Sequence, residues 1–234
     1  MIVDPGEAAP VFEALHKYQL QLSAILITHH HWDHTNGIRD IISKFNVPVY
    51  GPALEPVAGM THPLNDGDKI TLSDCGLSLQ IMHVSGHTRG HIAYYNDTLL
   101  FSGDTLFTAG CGKIFEGTVA QMYHSLTALA ALNDNTQMYC GHEYTASNLK
   151  FAQHVEPDNK DIQHRIEQVA QLRSKNRPTV PAPLSLEKLT NPFLRCTQPT
   201  VIKAAEHYAN QSLSTPTEVL GVIREWKNSF ITPQ

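Results

Sequence analysis

The amino-acid sequence predicts a mixed α/β body followed by a helical appendage, and three patterns support this fold class. An apolar run, a helical stripe and a second apolar run follow one another over residues 23–50. Four short strand-like runs then occupy residues 69–101, and the chain from residue 144 onward is mostly polar with helical spacing. Strand-helix-strand order is typical of α/β folds. We therefore expect a catalytic body over residues 1–145 and a helical, substrate-binding domain over residues 146–234.

The N-terminal elements are assigned from the spacing of their apolar residues. Residues 11–20 carry a short helical stripe, and residues 38–45 carry another. The continuous apolar run at 23–27 predicts a buried strand, and residues 47–50 predict a second, shorter one. The first of these strands runs directly into a cluster of histidines.

The middle of the chain indicates an antiparallel meander. A turn signal at 65–68 precedes short runs at 69–72, 77–84, 91–95 and 99–101. Runs of this length separated by turn residues are typical of hairpin-connected strands.

The remaining elements are mainly helical. Residues 122–132 have one apolar helical face, and 137–140 predict a last short strand. Residues 161–175 predict an exposed helix, the proline-rich stretch 178–183 a linker or extended arm, and 216–230 a final helix.

Composition excludes several classes of protein. The 234 residues have a formal net charge of −5 and a hydrophobic content of 41%, as in ordinary globular proteins. No basic field favours nucleic acid or an anionic membrane, and no apolar run is long enough to span a bilayer. The four cysteines form no C-x-x-C pair, and the N-terminus does not resemble a secretion signal, so we expect a reducing, cytoplasmic location. The 14 histidines stand out.

A first group of metal-ligand types lies in the run from His29 to His34. His29 and His31 alternate, so they can face the same way in extended backbone, and the following turn can bring Asp33 and His34 nearby. Imidazole and carboxylate are ligands that Zn, Fe and Mn accept. The alternative is a chance histidine-rich loop, which is disfavoured by the position of this pattern after an apolar strand.

Three further candidate ligands share one sequence context. His87, Asp104 and His142 each follow a strand-like run and a glycine, which permits close backbone approach. Each alone would be interpreted as an ordinary polar residue. Their shared context predicts convergence on one edge of the sheet, where α/β folds place their sites.

These residues carry a resemblance to known proteins. The run from His29 to His34 resembles the motif of the metallo-β-lactamase superfamily. The stretches 103–107, 110–113 and 142–145 resemble its glyoxalase II (hydroxyacylglutathione hydrolase) branch. The resemblance implies an α+β fold, an αββα metallo-β-lactamase-like sandwich with a C-terminal helical appendage.

The resemblance also implies a difference at the start of the chain. Family members begin with about two further strands before the segment that matches Ile2–Gly6, so the first strands are expected to be missing here. Such a short form would have lower stability and activity.

The resemblance assigns two divalent metal ions, most simply Zn, with Fe or Mn also compatible. Asp33 is in addition the candidate catalytic proton acceptor, although coordination would reduce its basicity. The implied ligands are His29, His31 and His87 for the first ion, Asp33, His34 and His142 for the second, and Asp104 as a bridge between both.

A second set of residues is implied to bind glutathione. Its two carboxylates require local cations on an acidic protein. The alternative for Arg224 and Lys227 is a solvated helix face. Phe115 replaces a tyrosine that is frequent in the family, which removes one hydroxyl contact. The implied substrate-binding residues are Lys113, Phe115, Tyr144, Arg224 and Lys227.

The function implied is hydrolysis of S-(2-hydroxyacyl)glutathione thioesters, lactoylglutathione to lactate plus glutathione, by a metal-bridged hydroxide in methylglyoxal detoxification. The alternatives are a glutathione persulfide dioxygenase of the same superfamily and an inactive, truncated metal-binding form. We expect a small-molecule glutathione thioester as the partner, no nucleic acid, no membrane, and a monomer.

Overall fold

The computed structural model describes residues 1–230, in which two β-sheets pack face to face and helices cover the outer face of each. This αββα arrangement confirms the predicted fold class. Within residues 1–230, no helix combines the length and apolar character needed to cross a membrane.

The first sheet is parallel, with four strands in the order in which they occur in the chain. The two central strands confirm the predicted strand-helix-strand order, whereas the edge strands were not predicted because runs of two or three residues show no period. The strands are β1 (Ile2–Val3), β2 (Ile25–Leu26), β3 (Val49–Pro52) and β4 (His62–Leu64), and their connecting helices are α1 (Ala8–Lys17), α2 (Trp32–Thr35) and α3 (Ile38–Ile42).

The second sheet has six strands in the order β12-β11-β8-β7-β6-β5. Strands β5 to β8 form the predicted antiparallel meander, β11 runs parallel to β8, and β12 is antiparallel to β11 at the edge. The strands are β5 (Lys69–Leu72), β6 (Leu77–His83), β7 (Ile92–Tyr95), β8 (Leu99–Gly103), β11 (Gln137–Cys140) and β12 (Ala182–Pro183), with a separate hairpin of β9 (Leu106–Phe107) and β10 (Gly110–Cys111).

The C-terminal part is mostly helical, with one correction to the prediction. The proline-rich stretch 178–183, predicted as a linker or arm, contributes β12 to the second sheet, so it is part of the body. Short 3₁₀ turns occur at Ser73–Cys75 and Pro192–Leu194. The helices are α4 (Val119–Ala130), α5 (Thr145–Val155), α6 (Lys160–Arg173), α7 (Leu184–Thr190), α8 (Pro199–Ala209) and α9 (Pro216–Ser229).

Alternation along β2 shows how one strand serves two cores. Ile25 and Ile27 pack with α1 and α3, whereas Leu26 packs between the two sheets. This follows from the two-residue period of side-chain direction in a strand. Tyr94 of β7 also lies between the sheets, is fully buried, and donates its hydroxyl proton to the Ile27 carbonyl at 2.8 Å.

The strand directions determine where the candidate ligands meet. Strands β6, β8 and β11 all run the same way, because β6 and β8 are each antiparallel to β7 and β11 is parallel to β8. Their carboxyl ends therefore lie at one edge. His87, Asp104 and His142 follow these three strands.

The Tyr94 hydroxyl provides a test of the contact between sheets. We expect Tyr94→Phe to lower the free energy of unfolding of the metal-free protein by about 1–2 kcal/mol, because a buried carbonyl loses its partner. The control is Tyr95→Phe. The hydroxyl of this half-buried residue donates an exposed hydrogen bond to Gln80 at 3.2 Å, and its loss should change stability by less than about 0.5 kcal/mol. Urea unfolding measures the stability of both variants. Equal losses in the two would show that the Tyr94 hydroxyl does not stabilise the contact between the sheets.

Candidate metal centre

Three imidazole nitrogens converge at the end of β2. The Nδ1 atom of His31 lies 3.1 Å from Nε2 of His29 and 3.0 Å from Nε2 of His87. His29 and His87 are buried, whereas His31 is half-exposed. These three residues form the first histidine cluster, which has the size required to hold one metal ion.

The hydrogen bonds around this cluster determine which ring nitrogens of His29 and His87 carry a proton. Thr28 Oγ1 donates its only proton to Asp4 Oδ2 at 2.7 Å, so it accepts from Nδ1 of His29 at 3.0 Å. The Nδ1 atom of His87 donates to the Lys113 carbonyl at 2.7 Å. A neutral imidazole carries one proton, so Nε2 of His29 and Nε2 of His87 are bare lone pairs.

Ring nitrogens without protons repel one another at this separation unless a proton or a cation lies between them. A single proton on Nδ1 of His31 can serve only one of its two neighbours. A Zn²⁺ ion bound at about 2.0–2.1 Å by tetrahedral nitrogens holds them about 3.3 Å apart. The donor set therefore fits a metal ion.

A second cluster lies beside the first and includes a carboxylate. Nε2 of His34 lies 3.1 Å from Nε2 of His142, which is 3.5 Å from Oδ2 of Asp33. His34 donates Nδ1–H to Asp4 Oδ2 at 3.1 Å. This histidine–carboxylate contact orients the ring and leaves Nε2 toward the cluster, as is usual for metal-binding histidines.

Asp104 lies between the two clusters. Its Oδ2 is 3.6 Å from Nε2 of His87 and 3.4 Å from Nε2 of His142, and its Oδ1 is 3.4 Å from Nε2 of His34. Oδ1 is buried and forms no hydrogen bond within residues 1–230. The carboxylate thus faces both clusters, as a bridging ligand must.

The electrostatics favour a cation at this point. Burial lowers the pKa of His29 and of His87, so both stay neutral. Burial also lowers the pKa of His34, but Asp104 and Asp4 outweigh it and raise the pKa to about 10. Burial would raise the pKa of Asp104, but the nearby imidazoles of His142 and His34 outweigh it and hold the pKa well below its ordinary value.

Two nearby histidines lie outside both clusters. His30 points Nδ1 at Glu55, at 2.8 Å. His91 is fully buried, stacks on His29 with ring centroids 4.7 Å apart, and accepts the Asp104 backbone N–H through Nε2 at 3.1 Å. Its role is therefore to hold neighbouring groups in position.

Sequence reasoning missed Thr28 and Glu55, which hold the ligand loops. Thr28 is a common residue type at a strand end, and nothing in its spacing distinguishes it. Glu55 is separated from the histidines by a strand, so only the fold brings them together.

A cavity of about 750 Å³ opens over both clusters. Its floor is formed by His31, Asp33, His87, Asp104 and His142. All five residues implied to bind substrate line it: Lys113, Phe115, Tyr144, Arg224 and Lys227.

Two aromatic residues pack directly against histidines of the two clusters. The exposed Phe115 ring meets His87 edge-on at 5.3 Å. Tyr144 stacks on His142 at 4.8 Å, and both rings lie at the cavity wall.

The basic residues of the cavity differ in burial. Lys113 is exposed. Arg224 is buried and donates to the Cys111 carbonyl at 2.7 Å, so it does not lie on a solvated helix face. Lys227 is half-buried beside it, and burial together with Arg224 lowers the pKa of the Lys227 ammonium to about 8.

Comparison with known proteins agrees with this site. The family described as "Metallo-beta-lactamase superfamily" matches residues 1–142, and "Hydroxyacylglutathione hydrolase C-terminus" matches residues 143–230. A hydroxyacylglutathione hydrolase from Nitrosomonas europaea is 50% identical over 98% of this chain and 88% of its own length. This chain belongs to the hydroxyacylglutathione hydrolase family. The corresponding protein of Alkalilimnicola ehrlichii is 51% identical over 97% of this chain and 89% of its own length.

Solved structures of other proteins have the same fold as this member of the hydroxyacylglutathione hydrolase family. ETHE1 from Myxococcus xanthus superposes with a TM-score of 0.62 at 22% identity, over 97% of this chain and 86% of its own. A metallo-beta-lactamase from Staphylococcus aureus superposes with a TM-score of 0.60 at 18% identity, over 100% of this chain and 65% of its own. The family and superfamily expected from the sequence are confirmed, and the superfamily fold implies a dinuclear metal site with His/Asp clusters.

Asp104 offers the sharpest test of the shared site. We expect Asp104→Ala to lower the metal content per chain and to abolish turnover, because both clusters lose the carboxylate that faces them. Elemental analysis of the purified protein measures the first effect. The exposed Asp97→Ala is the control and should keep the full metal content. Full metal and full rate in Asp104→Ala would make the bridging role wrong.

Proposed function

We propose that this enzyme hydrolyses S-(2-hydroxyacyl)glutathione thioesters, with lactoylglutathione as substrate and lactate plus glutathione as products, in methylglyoxal detoxification. The observation that carries this proposal is one cavity with two metal-ligand clusters on its floor and Lys113, Arg224 and Lys227 in its wall. Relatives about 50% identical over nearly the whole chain, named hydroxyacylglutathione hydrolase, support it.

The proposed metal ligands follow the two clusters. Zn is the first candidate, and Fe or Mn also suits imidazole and carboxylate. When bound, two such ions would acidify a water molecule and polarise the thioester carbonyl. His29, His31 and His87 would hold one ion, Asp33, His34 and His142 the other, and Asp104 would bridge them.

One of the protein's own groups acts at the reacting atoms, and the leaving group needs no second one. The Asp33 side chain is 39% exposed at the cavity floor, so the carboxylate oxygen that does not bind the ion can accept a proton from the attacking water. The leaving group is a thiolate, whose conjugate acid has a pKa of about 8.5, so it departs without a dedicated general acid. No such acid is assigned.

Glutathione would lie against the basic wall. Lys113 and Lys227 can pair with its carboxylates, and the Tyr144 ring can pack on the peptide next to His142. Phe115 supplies a ring but no hydroxyl. Arg224 has a buried Nε with no partner within residues 1–230, and its guanidinium adds positive charge to the wall.

The division of labour follows the order of the chain. Residues 1–145 supply every proposed metal ligand, and residues 146–234 supply Arg224 and Lys227 to the cavity. We propose these as the catalytic and substrate-binding domains, with β12 of the second one joined to the second sheet. The free cysteines among the described residues suit a reducing cytoplasm, and we propose a monomer with a small-molecule partner.

Two enzyme assays separate this function from its main alternative. We expect the protein to hydrolyse lactoylglutathione. The loss of the thioester absorbance measures this reaction, and the metal content is determined in the same sample. Oxygen consumption with glutathione persulfide would instead favour the dioxygenase. Relatives at about 50% identity favour the thioesterase. Metal-bound protein that does not hydrolyse the thioester would contradict the proposal.

The pKa of Lys227 predicts how substrate binding depends on pH. The ammonium is charged below a pKa of about 8 and neutral above it. The Lys227 contribution to carboxylate binding is therefore present at lower pH and lost as pH rises, so KM should increase. Lys227→Arg should remove this increase, because a guanidinium stays charged.

The measurement is KM for lactoylglutathione between about pH 7 and pH 9, where an essential group's titration appears in the profile. The exposed Lys203→Arg, on α8, is the control and should keep the wild-type profile. An unchanged rise of KM in Lys227→Arg would show that Lys227 does not bind the carboxylate.

A further inference from the structure

A buried carboxylate connects the two loops that carry the first histidine cluster. Glu55 lies in the connection between β3 and β4, is 6% exposed, and belongs to neither metal-ligand cluster. A buried carboxylate is unfavourable unless its oxygens are fully hydrogen-bonded. The partners of Glu55 therefore indicate what it does.

One oxygen of Glu55 binds the loop after β2. Oε2 accepts the backbone N–H of His30 at 2.7 Å and Nδ1–H of the same residue at 2.8 Å. His30 stands between His29 and His31, so this double contact fixes the backbone that presents both ligands.

The other oxygen binds the loop after β6. Oε1 accepts the backbone N–H of Gly90 at 2.8 Å and a short hydrogen bond from the Thr88 hydroxyl. Gly90 is required for this approach, because a Cβ there would lie 2.6 Å from Cγ of Glu55. Thr88 directly follows His87, so the contact fixes the third ligand.

We propose that Glu55 is a positioning residue that sets the spacing between the His29–His31 loop and His87 and so determines the affinity of the first metal ion. This inference rests on the proposed metal-dependent function. Four donors from two loops require four acceptor sites, which a carboxylate supplies and an amide does not. The hydrogen bonds of Glu55 go to His30, Thr88 and Gly90 and to no residue of the second cluster, so the second ion should be affected much less.

The first experiment compares two isosteric variants. Glu55→Gln keeps the shape but turns one acceptor oxygen into a donor that faces other donors. Glu156→Gln is the matched control, because Glu156 is also a buried carboxylate, paired with Arg195 at 2.7 Å, and its side-chain partners Arg195 and Thr200 belong to neither cluster. Metal-free proteins are titrated with Zn²⁺ in a calorimeter, with a chelator in competition, and their melting temperatures are recorded.

We expect Glu55→Gln to weaken one Zn²⁺ site by about 10–100-fold, the effect usual for partners of metal ligands, and the other by less than about threefold. KM for lactoylglutathione should stay near the wild-type value while kcat falls. Glu156→Gln should lower the melting temperature and leave both affinities unchanged. If both variants change the affinities equally at equal loss of stability, Glu55 only stabilises its loop and the inference is wrong.

A second pair of variants removes a single contact. Thr88→Val loses the hydroxyl that binds Oε1, and Thr88→Ser keeps it. We expect the same Zn²⁺ site to weaken in the valine variant and to recover in the serine variant. Equal affinities in both would overturn the inference. Wild-type protein that binds no Zn²⁺ would overturn the proposed function itself, whereas normal wild-type binding with an unaffected Glu55→Gln overturns only the role of Glu55.

Discussion

The unprotonated imidazole nitrogens that face one another in the first histidine cluster are the constraint on which the rest of this structure depends. Asp4 stands behind both clusters. Its carboxylate accepts hydrogen bonds from the Thr28 backbone N–H at 2.8 Å, from the Thr28 hydroxyl and from Nδ1–H of His34. The Thr28 hydroxyl oxygen in turn accepts a hydrogen bond from Nδ1–H of His29. Asp4 has a φ of +48°, a backbone conformation that is unfavourable for this residue and is held by these contacts. A single carboxylate thus orients one ring in each cluster.

The fold makes this convergence possible by bringing strand ends together with little space between them. Gly103, at the end of β8, has a φ of +49°, and a Cβ there would lie 2.7 Å from Cε1 of the His91 ring. Glycine is therefore required where the Asp104 loop passes the buried histidines. Residues outside both clusters, such as His91, Thr28 and Glu55, contact the candidate ligands or the loops that carry them.

The sequence predicted the parts of this structure that have local signals. The meander strands at 69–72 and the strand at 137–140 agree with the structure because their period and turns are local. The candidate ligands were predicted because His and Asp follow strand ends, and the structure places their side chains close together. The stretch 178–183 was predicted as a linker or extended arm, but the attachment of Ala182–Pro183 to the second sheet was missed, since pairing of β12 with β11 is a long-range contact that composition does not reveal. Glu55 carries no local signal for the same reason.

We propose that two cations bind between the facing ring nitrogens of the two clusters and the Asp104 carboxylate. Anomalous diffraction at the zinc edge, on crystals grown with Zn²⁺, tests it most directly. The account predicts two peaks about 3.5–4 Å apart, one among His29, His31 and His87 and one among Asp33, His34 and His142, with Asp104 between them. Zinc peaks located elsewhere, or clusters without a peak at saturating Zn²⁺, would contradict it.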